Sequence, residues 1–152
     1  MKFGMYTVSK KDIEMFADQL PEYVIENCGK KGCFMIGAVD EENTLIGLAQ
    51  FYIGMLEGGE FISDVIYVFV DEEYRRNGAA SKMLNKVHSI LKKSGIEKSL
   101  TLVDKKQEEK ALFSENGYVF MKPDTDSVKE FEEVHGKIVP TKMEQGVYWL
   151  DR

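Results

Sequence analysis

Tyr74-Arg75-Arg76-Asn77-Gly78-Ala79-Ala80-Ser81 lies between an apolar run, Phe61 to Val70, and a stripe of apolar residues at helical spacing. The run before it is almost continuously apolar, the pattern of a strand covered on both faces. The residues after it, Ala80, Met83, Leu84, Val87, Ile90 and Leu91, recur every three or four positions and describe one face of a helix that stops at Ser94-Gly95. Glu97 to Val103 reads as the next strand, so strand, helix and strand form a right-handed parallel crossover. The quoted segment is therefore the turn from a buried strand into a helix. A helix N-terminus presents unpaired N–H groups and a partial positive charge, and Gly78 carries no side chain to keep a phosphate from the backbone. This turn reads as an anion cradle. No Gly-Lys-Ser/Thr follows, which excludes a Walker loop, and the G-x-G-x-x-G spacing of a dinucleotide fold is absent.

Outward from this unit, residues 2 to 8 read as a strand, Ser9 as a helix cap with Asp12 in the first turn, and Ile13, Phe16, Ala17 and Leu20 as a helical face. Pro21 breaks or restarts the helix, and Asn27-Cys28-Gly29 ends it. Cys33 to Val39 and Thr44 to Ile53 form a hairpin around the polar turn Asp40-Glu41-Glu42-Asn43. Beyond the crossover, Lys106 to Asn116 reads as a helix stopped by Gly117, and Tyr118 to Met121 and Gly146 to Leu150 as strands. Asp124 to His135 has weak helical character, and Gly136 to Gln145 carries no clear pattern.

The 152 residues, 43% hydrophobic and 30% charged with three prolines, describe one globular domain spanning 1–152. Asn43 to Leu56, a charge-free stretch of 14 residues, is shorter than the roughly 18 that span a bilayer. The N-terminus reaches Lys10 and Lys11 too early for a secretory signal, so no membrane partner and a cytoplasmic location are expected. Cys28 and Cys33 read as free thiols and no metal site is expected. The net charge of −6 divides unevenly: residues 75 to 110 carry +6 and the remainder −12. A basic segment in an acidic chain suits a small polyanion and argues against nucleic acid as a partner; its bland alternative is a solvated helix face.

Arg75-x-x-Gly78-x-Ala80 resembles the Q/R-x-x-G-x-G/A signature of the GNAT superfamily of N-acetyltransferases. The flanking strand and helix and the later Ala111-Leu112-Phe113-Ser114-Glu115-Asn116-Gly117-Tyr118 resemble the family pattern as well, over about residues 33 to 121. The resemblance implies an α/β (α+β) fold: a mixed, mostly antiparallel sheet with helices on both faces, ordered β-α-α-β-β-β-α-β-α-β-β, in which the fourth and fifth strands splay apart. It implies acetyl-CoA as co-substrate and an amine acceptor as partner, and leaves a homodimer open. Val68, Phe69 and Val70 would pair with the pantetheine arm through their backbone, and Arg75, Arg76, Asn77, Gly78, Ala79, Ala80 and Ser81 would hold the phosphates. The side chains of Val68, Phe69 and Val70 read as core.

Asp64, eleven positions before Arg75, matches the general-base glutamate of the histone-acetylating branch; its bland reading is a strand-end carboxylate bonded to solvent or a neighbouring backbone. Phe113 stands where many members place the tyrosine that protonates the departing thiolate, and Lys106 stands where they place an asparagine. Either Tyr67, Tyr118 or water then serves as the acid, with Tyr118 also suited to the core, or the thiolate leaves unprotonated. The expected activity is acetyl transfer to a primary amine. Its alternative is a domain that binds CoA without transfer, which Phe113 favours.

Overall fold

The computed structural model describes residues 4–104, 109–121, 125–139 and 145–151. Among these residues, seven strands form one sheet in the order β1-β2-β3-β4-β5-β7-β6. They are β1 (Gly4–Thr7), β2 (Cys33–Val39), β3 (Leu45–Met55), β4 (Phe61–Val70), β5 (Lys98–Asp104), β6 (Val119–Phe120) and β7 (Gln145–Asp151). All neighbours are antiparallel except β4 and β5, which run parallel, so the mixed sheet has the expected character. The expected start of a helix at Lys106 lies outside the described residues.

Among the described residues, five α-helices cover the two faces: α1 (Lys10–Ile13), α2 (Glu22–Glu26), α3 (Ala79–Lys93), α4 (Glu109–Glu115) and α5 (Asp126–Gly136). Ser9 starts α1 through a reciprocal capping box with Asp12, whose carboxyl the Ser9 backbone and hydroxyl hold below its ordinary range. A 3₁₀ turn, Glu14–Phe16, extends α1, and Pro21 opens α2 from its N-cap position. The face of the sheet carrying Met35, Val39, Leu45, Leu48 and Phe69 packs against Ile13, Phe16, Leu20 and Val24. The opposite face, with Ile36, Ala38, Ile46, Ala49, Phe51 and Val70, receives Ala79, Met83, Val87 and Leu91 of α3. Each fully buried Met83, Leu84 or Val87 contributes roughly 1.5–3 kcal/mol of hydrophobic stabilisation.

The element order departs from expectation in one place: a complete helix, α5, stands between β6 and β7, where the sequence showed only weak helical character. Thr125 caps it by accepting the Val128 N–H, and Val128, Phe131, Val134 and His135 form its buried stripe. Phe131 and Val134 pack on Ile62 and Leu100. The segment just beyond the helix, Ile138 and Val139, packs on Ile66. The helix therefore runs alongside one face of β4, toward the end where β4 leaves β5.

Candidate active site

A register irregularity in β4 starts the site. Gln50 faces Tyr67 while the next residue, Phe51, faces Val65, so Ile66 is an extra residue in the strand. Such a bulge bends a strand and increases its local twist. On the other edge of β4, the parallel pairing with β5 comprises only Ser63 with Ser99 and Asp64 with Leu100. Thr101 donates its hydroxyl to the Val65 carbonyl at 2.8 Å just past the last pair. From there to Val70 the two strands separate, as the family resemblance implies.

A cleft of about 730 Å³ follows the freed part of β4 to the start of α3, with Leu112 and Glu115 of α4 on its far side. Tyr67, Val68, Phe69, Val70, Arg75, Arg76, Gly78, Ala79, Ala80 and Ser81 all line it, and Asn77 is absent from the lining. The turn that delivers the chain into α3 is built for close approach. Gly78, the N-cap, has φ +78°, and a Cβ placed on it would meet nothing within 4 Å. Arg76 adopts φ +71°, a left-handed conformation that costs a non-glycine residue roughly 1–2 kcal/mol. Arg75 Nε donates to the Val70 carbonyl at 3.0 Å and fixes its guanidinium at the mouth.

No side chain caps α3 and no acidic residue lies in its first turn. Helix starts ordinarily favour carboxylates or hydroxyl caps. Here the first N–H groups and two exposed arginines face the cleft instead, the arrangement that receives an anion. Two contacts hold the cradle from behind. Asn116 Nδ2 donates to Ser81 Oγ at 3.1 Å, joining α4 to the start of α3. Tyr74 donates its hydroxyl to Asp40 Oδ2 at 3.0 Å. The Thr44 and Glu42 backbone N–H groups and Tyr74 keep the Asp40 carboxyl below its usual range, and the same bond pushes the Tyr74 phenol up.

Asp64 is completely buried and lies outside the cleft lining. Its Oδ2 sits 2.7 Å from Nδ1 of His135 on α5, so it meets neither solvent nor a neighbouring backbone. With the carboxylate ionised, Nδ1 carries the hydrogen and donates it. Among the described residues, the buried polar atoms without a hydrogen-bond partner include Asp64 Oδ1, His135 Nε2 and Ser63 Oγ in this region and Asn27 Oδ1 elsewhere. An unpaired buried polar atom costs about 1–3 kcal/mol, so one on each of the contacting side chains Asp64 and His135 calls for an explanation. The sequence alone did not point to His135, which falls in the weakly patterned segment; a Thr cap followed by Val128, Phe131 and Val134 at threefold spacing was its available signal.

Tyr118 is buried, 2.6 Å from His88 Nε2 and 2.8 Å from Ser99 Oγ, with Phe113 packed edge-on against its ring. Its hydroxyl is tied to the back of β5 and α3, away from the cleft lining. Phe113 is likewise buried, against Val65 and Leu84. Of the two tyrosines considered as acids, Tyr67 is the one that lines the cleft. Cys33 lies near Tyr67 and Ile66, and burial pushes its thiol up to about 11, which leaves little thiolate for nucleophilic attack at neutral pH. Among the described residues, no group of three or more His, Cys, Asp or Glu is placed to hold a metal ion. No described helix is long and apolar enough to cross a membrane.

A model of the GNAT acetyltransferase family matches residues 4–118, and the chain belongs to that family. A search of the curated proteins finds no match. Among solved structures, the fold is similar to an acetyltransferase of the GNAT family from Staphylococcus aureus Mu50, at TM-score 0.70 and 18% identity over 99% of both chains. The PaiA N-acetyltransferase from Thermoplasma acidophilum, solved in complex with coenzyme A, superimposes at TM-score 0.68 and 16% identity over 100% of both chains. The ribosomal-protein-alanine N-acetyltransferase of Brucella melitensis biovar Abortus 2308 gives TM-score 0.68 and 16% identity over 82% of this chain and 97% of the other. These likenesses concern the fold.

Proposed function

We propose that the protein transfers the acetyl group of acetyl-CoA to a primary amine. One observation carries the reading: the strand edge freed at Val65 leads directly to an uncapped helix start flanked by Arg75 and Arg76, within a single cleft. An extended pantetheine arm would pair with the backbone of Val68, Phe69 and Val70, and the pyrophosphate would rest on the turn from Arg75 to Ser81. Asn77 belongs to that turn as a spacer whose side chain points elsewhere than the lining. A cofactor held in this direction brings its acyl end to Tyr67 and the bulge, beside the buried carboxylate of Asp64. The coenzyme A complex of the Thermoplasma relative supports the choice of ligand.

The reaction needs a neutral amine, stabilisation of the oxyanion and an exit for the thiolate. The proton-accepting end lies with the Asp64–His135 pair, and Tyr67 is the phenol that would protonate the sulfur. Excess negative charge outside residues 75–110 favours a cationic acceptor. A binding-only module is the second reading, favoured by Phe113, whose ring cannot donate a proton. Acetyl-CoA turnover with a panel of primary amines separates them: acceptor-dependent thiol release is expected of the enzyme, and tight binding without release would establish the module.

A further inference from the structure

We infer that His135 is the proton acceptor for the amine and that Asp64 is its positioning residue. The assignment deepens the acetyltransfer reading and rests on it. Three observations converge. Asp64 is the last β4 residue paired with β5, so the dyad stands at the apex from which the strands separate. The helix carrying His135 follows β4 step by step: Phe131 and Val134 pack with Ile62, His135 meets Asp64, and Ile138 and Val139 cover Ile66. Tyr67 belongs both to that last cluster and to the cleft lining; Asp64 and His135 belong to neither, so the route from the acyl end of the cleft to Nε2 would run past Tyr67.

A further observation is chemical. A carboxylate on Nδ1 fixes the imidazole tautomer and leaves the Nε2 lone pair as acceptor. In this structure Nε2 is buried with no partner. A structural Asp–His clasp uses one hydrogen bond and gains nothing from an orphaned second nitrogen, whereas a base that receives an ammonium proton, directly or through one water, requires one. In the step so assigned, Nε2 takes one proton from the acceptor ammonium. The amine lone pair forms the C–N bond, the C–S bond breaks with its electron pair on sulfur, and the thiolate gains the second amine proton through Tyr67. The Nε2 proton then leaves to solvent, so one proton is released per acetyl group transferred.

Asp64 faces His135 from β4, Tyr52 of β3 pairs opposite Asp64, and Cys33 of β2 lies close enough to feel the Asp64 charge; Tyr23 and Tyr67 pack on the adjoining cluster of Ile66, Ile138 and Val139. Glu132, Glu133 and Lys137 on the same segment are exposed. The only carboxylate in direct contact is Asp64, among the described residues.

The test measures kcat and KM across pH for wild type and His135→Gln, with acetyl-CoA affinity by calorimetry. The expected result is an acidic limb in the wild-type profile, a kcat lowered about 10²–10⁴-fold in His135→Gln with that limb flattened, and unchanged acetyl-CoA affinity. Asp64→Asn, which inverts the tautomer preference, should lower kcat and displace the limb while KM for acetyl-CoA holds. Wild-type kcat and an intact limb in His135→Gln would overturn the assignment alone. Should neither variant fold, a wild-type profile without an acidic limb would overturn it. Absence of any wild-type turnover despite acetyl-CoA binding would remove the transferase reading, and this assignment with it.

Discussion

Asp64 and His135 stand 71 residues apart in the chain and 2.7 Å apart in the fold. β4 supplies the carboxylate at its last pairing with β5, and α5 supplies the imidazole. The seat of α5 against the β3–β4 hairpin therefore governs the geometry of the dyad.

That seat can be disturbed from the opposite strand. A Cβ on Gly54 would lie 2.6 Å from Val134 Cγ1 and 2.9 Å from Tyr52 Cε2. Gly54→Ala should destabilise the protein by about 1–3 kcal/mol through overpacking. Because Val134 adjoins His135, kcat should fall severalfold while acetyl-CoA affinity stays within twofold. Thermal melting, calorimetry and steady-state kinetics on the one variant check all three.

The two tyrosines separate by what they touch. Tyr118→Phe removes a hydroxyl bonded to His88 and Ser99 and should cost about 1–3 kcal/mol in denaturant unfolding. Acetyl-CoA affinity should be retained. Tyr67→Phe should reduce kcat about 10²-fold, the lower end of general-acid effects, and far more than Tyr118→Phe does. A larger loss of kcat in Tyr118→Phe than in Tyr67→Phe would place the acid at Tyr118.

Arg76 offers a way to remove charge without harming the backbone. Its φ of +71° suits glycine, so Arg76→Gly should leave the melting temperature within a few degrees. Acetyl-CoA should nevertheless bind several times more weakly, with a shallower dependence on salt, because one cation has left the phosphate site. An unchanged salt slope in calorimetry would remove Arg76 from that site.

Cys33 bears on both reaction and stability. With its pKa raised by burial from 9.0 to about 11, the thiolate fraction at pH 8 is about a hundredfold below that of an ordinary cysteine, and iodoacetamide labelling should slow by a similar factor. The folded state favours the protonated thiol. Its stabilising contribution is complete below pH 9, declines as pH rises through about 11, and should be absent from the alkaline unfolding curve of Cys33→Ala.

Much of the framework follows from local pattern. Cys33–Val39 and Phe61–Val70 begin and end where the sequence places them, because each is an apolar run bounded by glycine or charge. Gly78 is readable for the same reason: a glycine between a buried strand and an amphipathic helix has few other uses. The bulge at Ile66 escapes such reading, since register depends on how β3 and β4 close on one another. α5 is faint because its polar face, Lys129, Glu130, Glu132 and Glu133, dilutes a stripe of only three apolar residues. The partner of Asp64 is invisible in sequence, being a contact between elements that only the packed sheet brings together.

The central claim is that the cleft at the start of α3 holds acetyl-CoA, and calorimetric titration of wild type and Gly78→Glu with acetyl-CoA tests it most directly. A Cβ at Gly78 has open space, so the variant should fold, with a strain cost of roughly 1–3 kcal/mol for its positive φ. The account predicts micromolar binding by the wild type and its loss in Gly78→Glu, whose carboxylate would occupy the anion cradle. Equal binding by both proteins, or none by a folded wild type, would contradict it.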